Sequence, residues 1–241
     1  MSLYDIAGLK VNMDLRFPFT LERAKAYLVG EDSDTPDMTV NVTDEDLDRW
    51  IKRFKSDDFA DQYEYMLAGS AFYRQLLDFD GMMLHSSAVV VDGKAYLFSA
   101  KSGTGKSTHT ELWLKLFGDK AYILNDDKPA VRYVDGKLYA YGTPFSGKHD
   151  LSANTRAEVA GICFIERAID NSIEQIPPSK SVPLMLEQTI RSNDITFMDK
   201  LLFVMDKLLT GVKVYKLRCN MDISAARLAY ETMSNTEEEN A

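Results

Sequence analysis

The residues best suited to chemistry are concentrated in the segment AKSGTGKST, residues 100–108. Its end matches the phosphate-binding pattern G-x-x-x-x-G-K-[ST]. In that pattern, curled backbone amides and the N-terminus of the next helix attract phosphate oxygens. Lys106 adds a positive charge near the outer phosphates, and the hydroxyl of Ser107 is suited to binding Mg²⁺. We therefore predict that a nucleotide is bound by Ala100, Lys101, Ser102, Gly103, Thr104, Gly105, Lys106, Ser107 and Thr108.

One position departs from the pattern, because Ala100 stands where the pattern has its first glycine. Glycine is needed there only if the backbone requires a positive φ, so we expect the departure to be tolerated. A bare Gly-Lys-Ser/Thr also occurs by chance in about one chain of this length in ten. The alternative interpretation is therefore a glycine turn without a ligand.

The elements around the segment favour the phosphate-binding interpretation. Residues 81–100 are predicted to form two apolar strands joined by a tight turn at Asp92 and Gly93. The segment directly follows the second strand. A helix is predicted over residues 108–117, with Gly118 as its stop. This strand, loop and helix order is the context that the motif requires.

A pair of acidic residues, Asp126 and Asp127, follows the next predicted strand, AYIL. In a β-α-β unit both lie at the same sheet edge as Lys106 and Ser107. One carboxylate can help hold Mg²⁺ while the other takes the proton of a hydroxyl acceptor. The sequence leaves open which aspartate does which, and the alternative is a solvated acidic turn.

Residues 84–167 resemble the catalytic domain of HPr kinase/phosphorylase. The SGTGKST wording is also similar to the loop of ATP-dependent phosphoenolpyruvate carboxykinase, and a G-T-P-[FW]-S-G-K segment typical of some HPr-kinase-like proteins occurs at residues 142–148. The resemblance implies that residues 100–107 cradle ATP, that Asp126 and Asp127 divide the base and Mg²⁺ roles, and that His85 lies close to the phosphates. Thr108 departs from the family, which usually has an acidic residue there.

Other charged and reactive residues are weaker candidates. A transferred phosphoryl group calls for a further cation, and Lys148, Arg156 and Arg167 are the candidates. His109 is interpreted as a packing residue on the helix after the loop, and His149 as a loop residue. Cys163 and Cys219 are expected to be buried, reduced thiols.

The bulk composition limits the partners. The chain has 241 residues, a net charge of -9 and a pI of about 4.9, so a nucleic acid would be repelled. No apolar stretch is long enough for a membrane span, and the N-terminus has no signal-peptide pattern. We expect a cytoplasmic protein without a nucleic-acid or membrane partner.

The predicted fold is α/β, a phosphate-loop core of HPr kinase/phosphoenolpyruvate carboxykinase type with a mixed sheet, hairpins and flanking helices. The second hairpin turns at Asp135 and Gly136. Residues 1–78 form an α+β region of unknown role, in which Thr43 and Asp46 predict a capping box. Residues 79–236 form the catalytic domain, and 237–241 a loose acidic tail.

The function that these predictions favour is an ATP-dependent kinase acting on a hydroxyl, with serine of a protein or peptide as the preferred acceptor and with ATP and Mg²⁺ as cofactors. The alternatives are a non-catalytic ATP-binding regulatory module and a small-molecule kinase acting on free serine. The acceptor's identity, a reverse phosphorylase activity and a homo-oligomeric state are left open by the sequence.

Overall fold

The computed structural model describes residues 1–29 and 35–234, so the predicted tail at 237–241 lies outside the described residues. The N-terminal part combines a small sheet, in the order β1-β2-β3, with three α-helices. Its elements are β1 (Ser2–Ile6), β2 (Leu9–Met13), α1 (Pro18–Ala24), β3 (Met38–Val40), α2 (Asp44–Phe54) and α3 (Ala60–Gln75). The capping box predicted at the start of α2 is confirmed, because Thr43 and Asp46 exchange side-chain to backbone hydrogen bonds.

The larger part is a nine-stranded sheet with helices. Its strands are β4 (Gly81–Met83), β5 (Ser86–Val91), β6 (Lys94–Ser99), β7 (Ala121–Asp127), β8 (Ala130–Val134), β9 (Lys137–Tyr141), β10 (Arg156–Arg167), β11 (Ser172–Ile176) and β12 (Val214–Cys219). Its helices are α4 (Lys106–Phe117), α5 (Pro178–Glu187), α6 (Ile195–Thr210) and α7 (Ile223–Ser234). No described helix has both the length and the apolar character needed to cross a bilayer.

The sheet is mixed. Its main path runs β4-β8-β9-β10-β6-β5-β7, and β12 pairs with the second half of β10 and with β11. Strand β10 is parallel to β6 and β12 but antiparallel to β9. The predicted class, a mixed sheet with hairpins flanked by helices, is therefore confirmed. Strand β11 is an addition that the sequence did not predict.

Both predicted hairpins are present. β5 and β6 pair antiparallel across Asp92 and Gly93, and β8 and β9 pair across Asp135 and Gly136. All four turn residues have positive φ, as a tight hairpin turn requires. The first predicted strand is broken, however, because β4 pairs with β8 whereas β5 pairs with β6 and β7. The break leaves His85 between β4 and β5.

The strand order explains how the loop and the aspartates share one edge. Strand β5 lies between β6 and β7 and is antiparallel to both, so β6 and β7 run parallel. Ser99 at the end of β6 and Asp127 at the end of β7 are both paired with Ser86 of β5. The carboxyl ends of the two strands therefore meet at one edge.

Apolar cores lie on both faces of the sheet. On one face, Trp113 of α4 and Ala226 of α7 belong to one buried cluster with Phe98. On the other face, Met185 of α5 and Leu201 of α6 pack with the buried side chains of the sheet. A third core joins the N-terminal helices to Phe145. Because both faces are covered, a ligand reaches this sheet at its ends, and one of these ends carries the loop.

Candidate active site

The loop between β6 and α4 has the backbone that its glycines predict. Gly103 has a φ of 78° and Gly105 a φ of 118°, in the region that favours glycine. Ala100 does not have a positive φ, which explains why alanine is tolerated at this position. Helix α4 begins at Lys106, and Gly105, its N-cap, has no side chain to cap it. The first amides of α4 are thus oriented to bind an anion.

Lys106 is folded back onto its own loop. Its Nζ atom donates to the carbonyl of Ala100 at 3.2 Å and lies 3.1 Å from Nε2 of His85. Burial lowers the pKa of Lys106 below its usual value, and the charges of Asp127 and Asp126 oppose part of that effect. The Nε2 atom of His85 also lies 2.8 Å from Oδ1 of Asp127, so the ammonium is near the Asp127 carboxylate.

Asp126 is positioned against Ser107. The Ser107 hydroxyl donates to the Asp126 carboxylate, with its Oγ atom 3.0 Å from Oδ1 and 3.1 Å from Oδ2. Asp126 is buried, and its own amide donates to the carbonyl of Leu151 at 2.9 Å. A hydroxyl and a carboxylate thus lie side by side at the start of α4, and both are oxygen ligands of the kind that Mg²⁺ prefers.

Asp127 faces a different set of side chains. Its Oδ1 atom lies 2.8 Å from Nε2 of His85, and its Oδ2 atom accepts from Lys128 Nζ at 2.6 Å. Burial by itself raises the pKa of Asp127, but the hydrogen bond from His85 and the Lys128 ammonium lower it well below its usual value. The carboxylate therefore stays ionised at neutral pH.

The backbone of Asp127 is strained. Its φ is 107°, in the region where glycine is favoured and a side chain costs roughly 1–3 kcal/mol. Such strain persists only when the surroundings impose it, and it concentrates at functional sites. Here the surroundings include β5, which pairs with Asp127 through Ser86.

His85 connects Lys106 to the aspartate. Its Nδ1 atom lies 3.0 Å from Oε1 of Gln188, and its backbone amide donates to the Gln188 carbonyl at 2.7 Å. A neutral imidazole has one N–H, so it can donate to only one of Gln188 and Asp127. The geometry thus brings His85 beside the lysine and the aspartate of the predicted site.

The segment at residues 142–148 lies against the aspartates. The amide of Gly147 donates to the backbone carbonyl of Asp126, and the Thr143 carbonyl accepts from the side chain of Asn125. The carbonyl of Ser146 accepts from the Tyr65 hydroxyl, which belongs to α3. This segment therefore links the end of β7 to the N-terminal helices.

The three candidate cations lie in different environments. The Arg167 guanidinium donates hydrogen bonds to the backbone carbonyls of Gly103 and Thr104 and so stabilises the loop. Arg156 stacks on Tyr139, 4.5 Å from the ring centroid, and bonds to Tyr141, so it belongs to the β9 side of the sheet. Lys148 is exposed and lines a cavity together with Asp127.

The remaining histidines and the cysteines are outside this cluster. His109 is buried, accepts from Trp113 Nε1 at 3.2 Å and packs against Phe98, which confirms its packing role. His149 is exposed. Cys163 and Cys219 are buried free thiols, as predicted.

Two side chains of the cluster, Lys128 and Gln188, were not predicted from the sequence. Lys128 directly follows the aspartate pair, so its position in NDDKPAVR was a usable signal. Gln188 comes one residue after the end of α5 and 103 positions from its partner His85, so no local pattern indicates it.

The residues present fit Mg²⁺ only together with a nucleotide. In the described parts of the chain, no cluster of three or more His, Cys, Asp or Glu side chains is arranged to hold a metal ion. Ser107 and Asp126 nevertheless supply the oxygen donors that Mg²⁺ prefers, and this ion usually completes its shell with phosphate oxygens and water.

Cavities open on both sides of the cluster. One of about 470 Å³ is lined by the loop, by Arg167 and by Gln188, and one of about 390 Å³ by Gly105, Thr108 and Asn220. A third, of about 530 Å³, is lined by Asp127 and by residues of the N-terminal helices. Two cavities therefore border the loop, and a different one borders Asp127.

Similarity to known proteins is found in the structure and not in the sequence. No protein-family model matches the chain, and no curated protein is significantly similar to it in sequence. The chain is similar to the structure of the HPr(Ser) kinase/phosphatase from Coxiella burnetii, at 10% sequence identity and a TM-score of 0.39. The match covers 65% of this chain and 99% of the other. At this level it assigns no role to any residue.

Proposed function

We propose that the protein is an ATP-dependent phosphotransferase that moves the γ-phosphate of ATP to a hydroxyl, with serine of a protein or peptide as the acceptor. The proposal rests on one observation, that the two neighbouring aspartates contact different parts of the site. Asp126 contacts Ser107 of the loop, whereas Asp127 contacts His85 and borders a separate cavity. A site that only binds a nucleotide does not need the second carboxylate.

In this proposal the loop amides and Lys106 bind the phosphates. Ser107 and Asp126 would hold Mg²⁺, and the ion would supply positive charge to the phosphate oxygens. The contact between the Ser107 hydroxyl and the Asp126 carboxylate supports this assignment, because the two oxygen ligands already lie next to each other. Lys106 moves its ammonium from the Ala100 carbonyl to the outer phosphates when ATP enters.

Asp127 is the base in this proposal. The acceptor oxygen attacks the γ-phosphorus, the bond between that phosphorus and the β–γ bridging oxygen breaks, and ADP leaves with its electron pair. The acceptor's proton passes to the Asp127 carboxylate. A carboxylate has about four lone-pair sites, so Asp127 can accept from the acceptor while it keeps its bonds to His85 and Lys128.

A second candidate is an ATP-binding regulatory module without turnover. It is favoured by one observation, that both Asp127 oxygens already have partners, in His85 and Lys128. The two candidates differ in whether the terminal phosphate leaves the nucleotide.

The deciding experiment is incubation with γ-labelled ATP and Mg²⁺ together with free serine, serine-containing peptides and a cell extract. The parental protein should transfer label to a hydroxyl, and Lys106→Ala and Asp127→Asn should not. Bound nucleotide without any transfer of label would support the regulatory module instead.

A further inference from the structure

The third cavity has walls from both parts of the chain. Phe19, Trp50 and Met66 line it from the N-terminal helices, and Phe145 and Ile190 from the larger part. The side chain of Phe145 is buried against α3 and lies 5.7 Å, centroid to centroid, from the ring of Tyr65. The cavity is therefore built by the packing of the N-terminal region onto the aspartate end of the sheet.

The surface that this cavity exposes is mainly apolar, although four charged side chains also line it. Lys148 is exposed, and the other three are already bonded. Arg23 donates to Ser146 Oγ, the Gly147 carbonyl and Asp150 at distances of 3.0 to 3.1 Å. Lys128 is bonded to Asp127. Free serine has no apolar side chain to cover the aromatic walls, and Lys148 is the one exposed charged residue among those that line the cavity and could pair with its charged groups. An apolar group fits such walls better.

The apolar surface continues outside the cavity. Trp50 contacts Phe54 at a centroid separation of 5.6 Å, and Phe54 stacks on Tyr63. Phe54 and Met66 are each 52% exposed, so large apolar side chains on both α2 and α3 face solvent beside the cavity. An occupant that extends beyond the cavity along α2 and α3 would cover this surface.

We propose that this cavity is the acceptor site and that the acceptor is a polypeptide segment whose serine or threonine hydroxyl is flanked by a large apolar side chain. The inference rests on the proposed function, since it takes Asp127 as the base. The hydroxyl lies at Asp127, the flanking apolar side chain enters the aromatic cavity, and the chain continues over Met66 and Phe54. The N-terminal region is thereby the part that selects the acceptor.

The test uses binding, so that it does not depend on turnover. Trp50 lines the cavity while Trp113, the other tryptophan, is fully buried, so a change of tryptophan fluorescence that disappears in Trp50→Phe reports on the cavity. Two matched peptides are titrated with MgADP present, acetyl-Gly-Phe-Ser-Leu-Gly-amide and acetyl-Gly-Asn-Ser-Gln-Gly-amide. The apolar peptide should bind at least about tenfold tighter, because its flanking side chains leave water.

Variants show whether the binding uses this surface. Met66→Glu should weaken the apolar peptide about tenfold because it places a charge at the mouth of the cavity. Leu202→Glu is the matched control, because Leu202 on α6 is 42% exposed and does not line this cavity. It should stay within about twofold of the parental affinity. Neither variant should change the affinity for MgADP.

The outcomes separate the two proposals. If the nucleotide binds but the two peptides bind equally or not at all, or if Met66→Glu has no effect, the acceptor inference is wrong and the proposed function is untouched. If free serine accepts label from ATP as efficiently as the apolar peptide, the inference is also wrong. If no nucleotide binds, the proposed function fails and the acceptor site fails with it.

Discussion

The Oγ atom of Ser107 lies within 3.1 Å of both carboxylate oxygens of Asp126, although the two residues are 19 positions apart in the chain. The parallel strands β6 and β7 bring them together by ending at the same edge of the sheet. A hydroxyl from the loop and a carboxylate from the next parallel strand are the protein ligands that phosphate-loop sites offer to Mg²⁺.

Substituting Ser107 or Asp126 should weaken the binding of Mg²⁺ more than the binding of the nucleotide itself. Asp126→Asn and Ser107→Ala are expected to bind ATP without Mg²⁺ about as well as the parental protein. Both should lose most of the gain in affinity that Mg²⁺ gives, because one hard oxygen ligand is missing. Calorimetric titration of ATP with and without Mg²⁺ measures that gain. If Mg²⁺ increased the affinity for ATP as much in both variants as in the parental protein, Ser107 and Asp126 would not be ligands of the metal.

Gly105→Ala should weaken nucleotide binding, whereas Ala100→Gly, at the position where the chain departs from the motif, should not change it. Gly105 has a φ of 118°, and a Cβ atom added there would meet nothing within 4 Å, so Gly105→Ala suffers backbone strain alone. We expect it to weaken nucleotide binding about tenfold or more. Ala100→Gly should leave the affinity within about twofold, because Ala100 does not have a positive φ. Equal effects of the two substitutions on the affinity would contradict this account of the loop.

The strain at Asp127 predicts an unusual ranking of stabilities. Asp127→Gly and Asp127→Ala both remove the carboxylate, but only glycine relieves a φ of 107°. The free energy of unfolding should therefore be about 1 kcal/mol larger for the glycine variant. Urea denaturation compares the two variants directly. A less stable glycine variant would show that the backbone is not strained there.

His109 should make stability depend on pH. Burial lowers its pKa from 6.5 to about 4, so between these values the unfolded chain binds a proton that the folded protein does not. The contribution to stability is fully present above pH 6.5 and is lost as the pH falls towards 4, by about 3 kcal/mol in total. In His109→Gln, which keeps an acceptor for Trp113, the free energy of unfolding should fall less between pH 7 and pH 5. The same fall in both proteins would exclude His109 as its source.

Local signals explain what the sequence predicts well. The dipeptides Asp92-Gly93 and Asp135-Gly136 specify tight turns, and Gly103 and Gly105 specify positive φ, so both hairpins and the loop follow from a few neighbouring residues. Helix α4 begins at Lys106, two positions before the predicted start, because the motif's own lysine opens the helix. Helix boundaries depend on such details.

Contacts between distant segments explain what the sequence does not predict. The break of the first strand at His85 arises because β4 and β5 find different partners. The third cavity depends on Tyr65, whose hydroxyl binds the carbonyl of Ser146, 81 positions away. Nothing in the local pattern of the N-terminal region indicates that its helices pack beside Asp127.

The most direct test of the central claim, that the loop and both aspartates act on one nucleotide, is to measure MgATP binding and label transfer in the same variants. Lys106→Ala should abolish detectable MgATP binding, because the loop loses its full positive charge. Asp127→Asn should bind MgATP with parental affinity and transfer no label. If Asp127→Asn transferred phosphate at the parental rate, or if Lys106→Ala bound MgATP normally, the account would be contradicted.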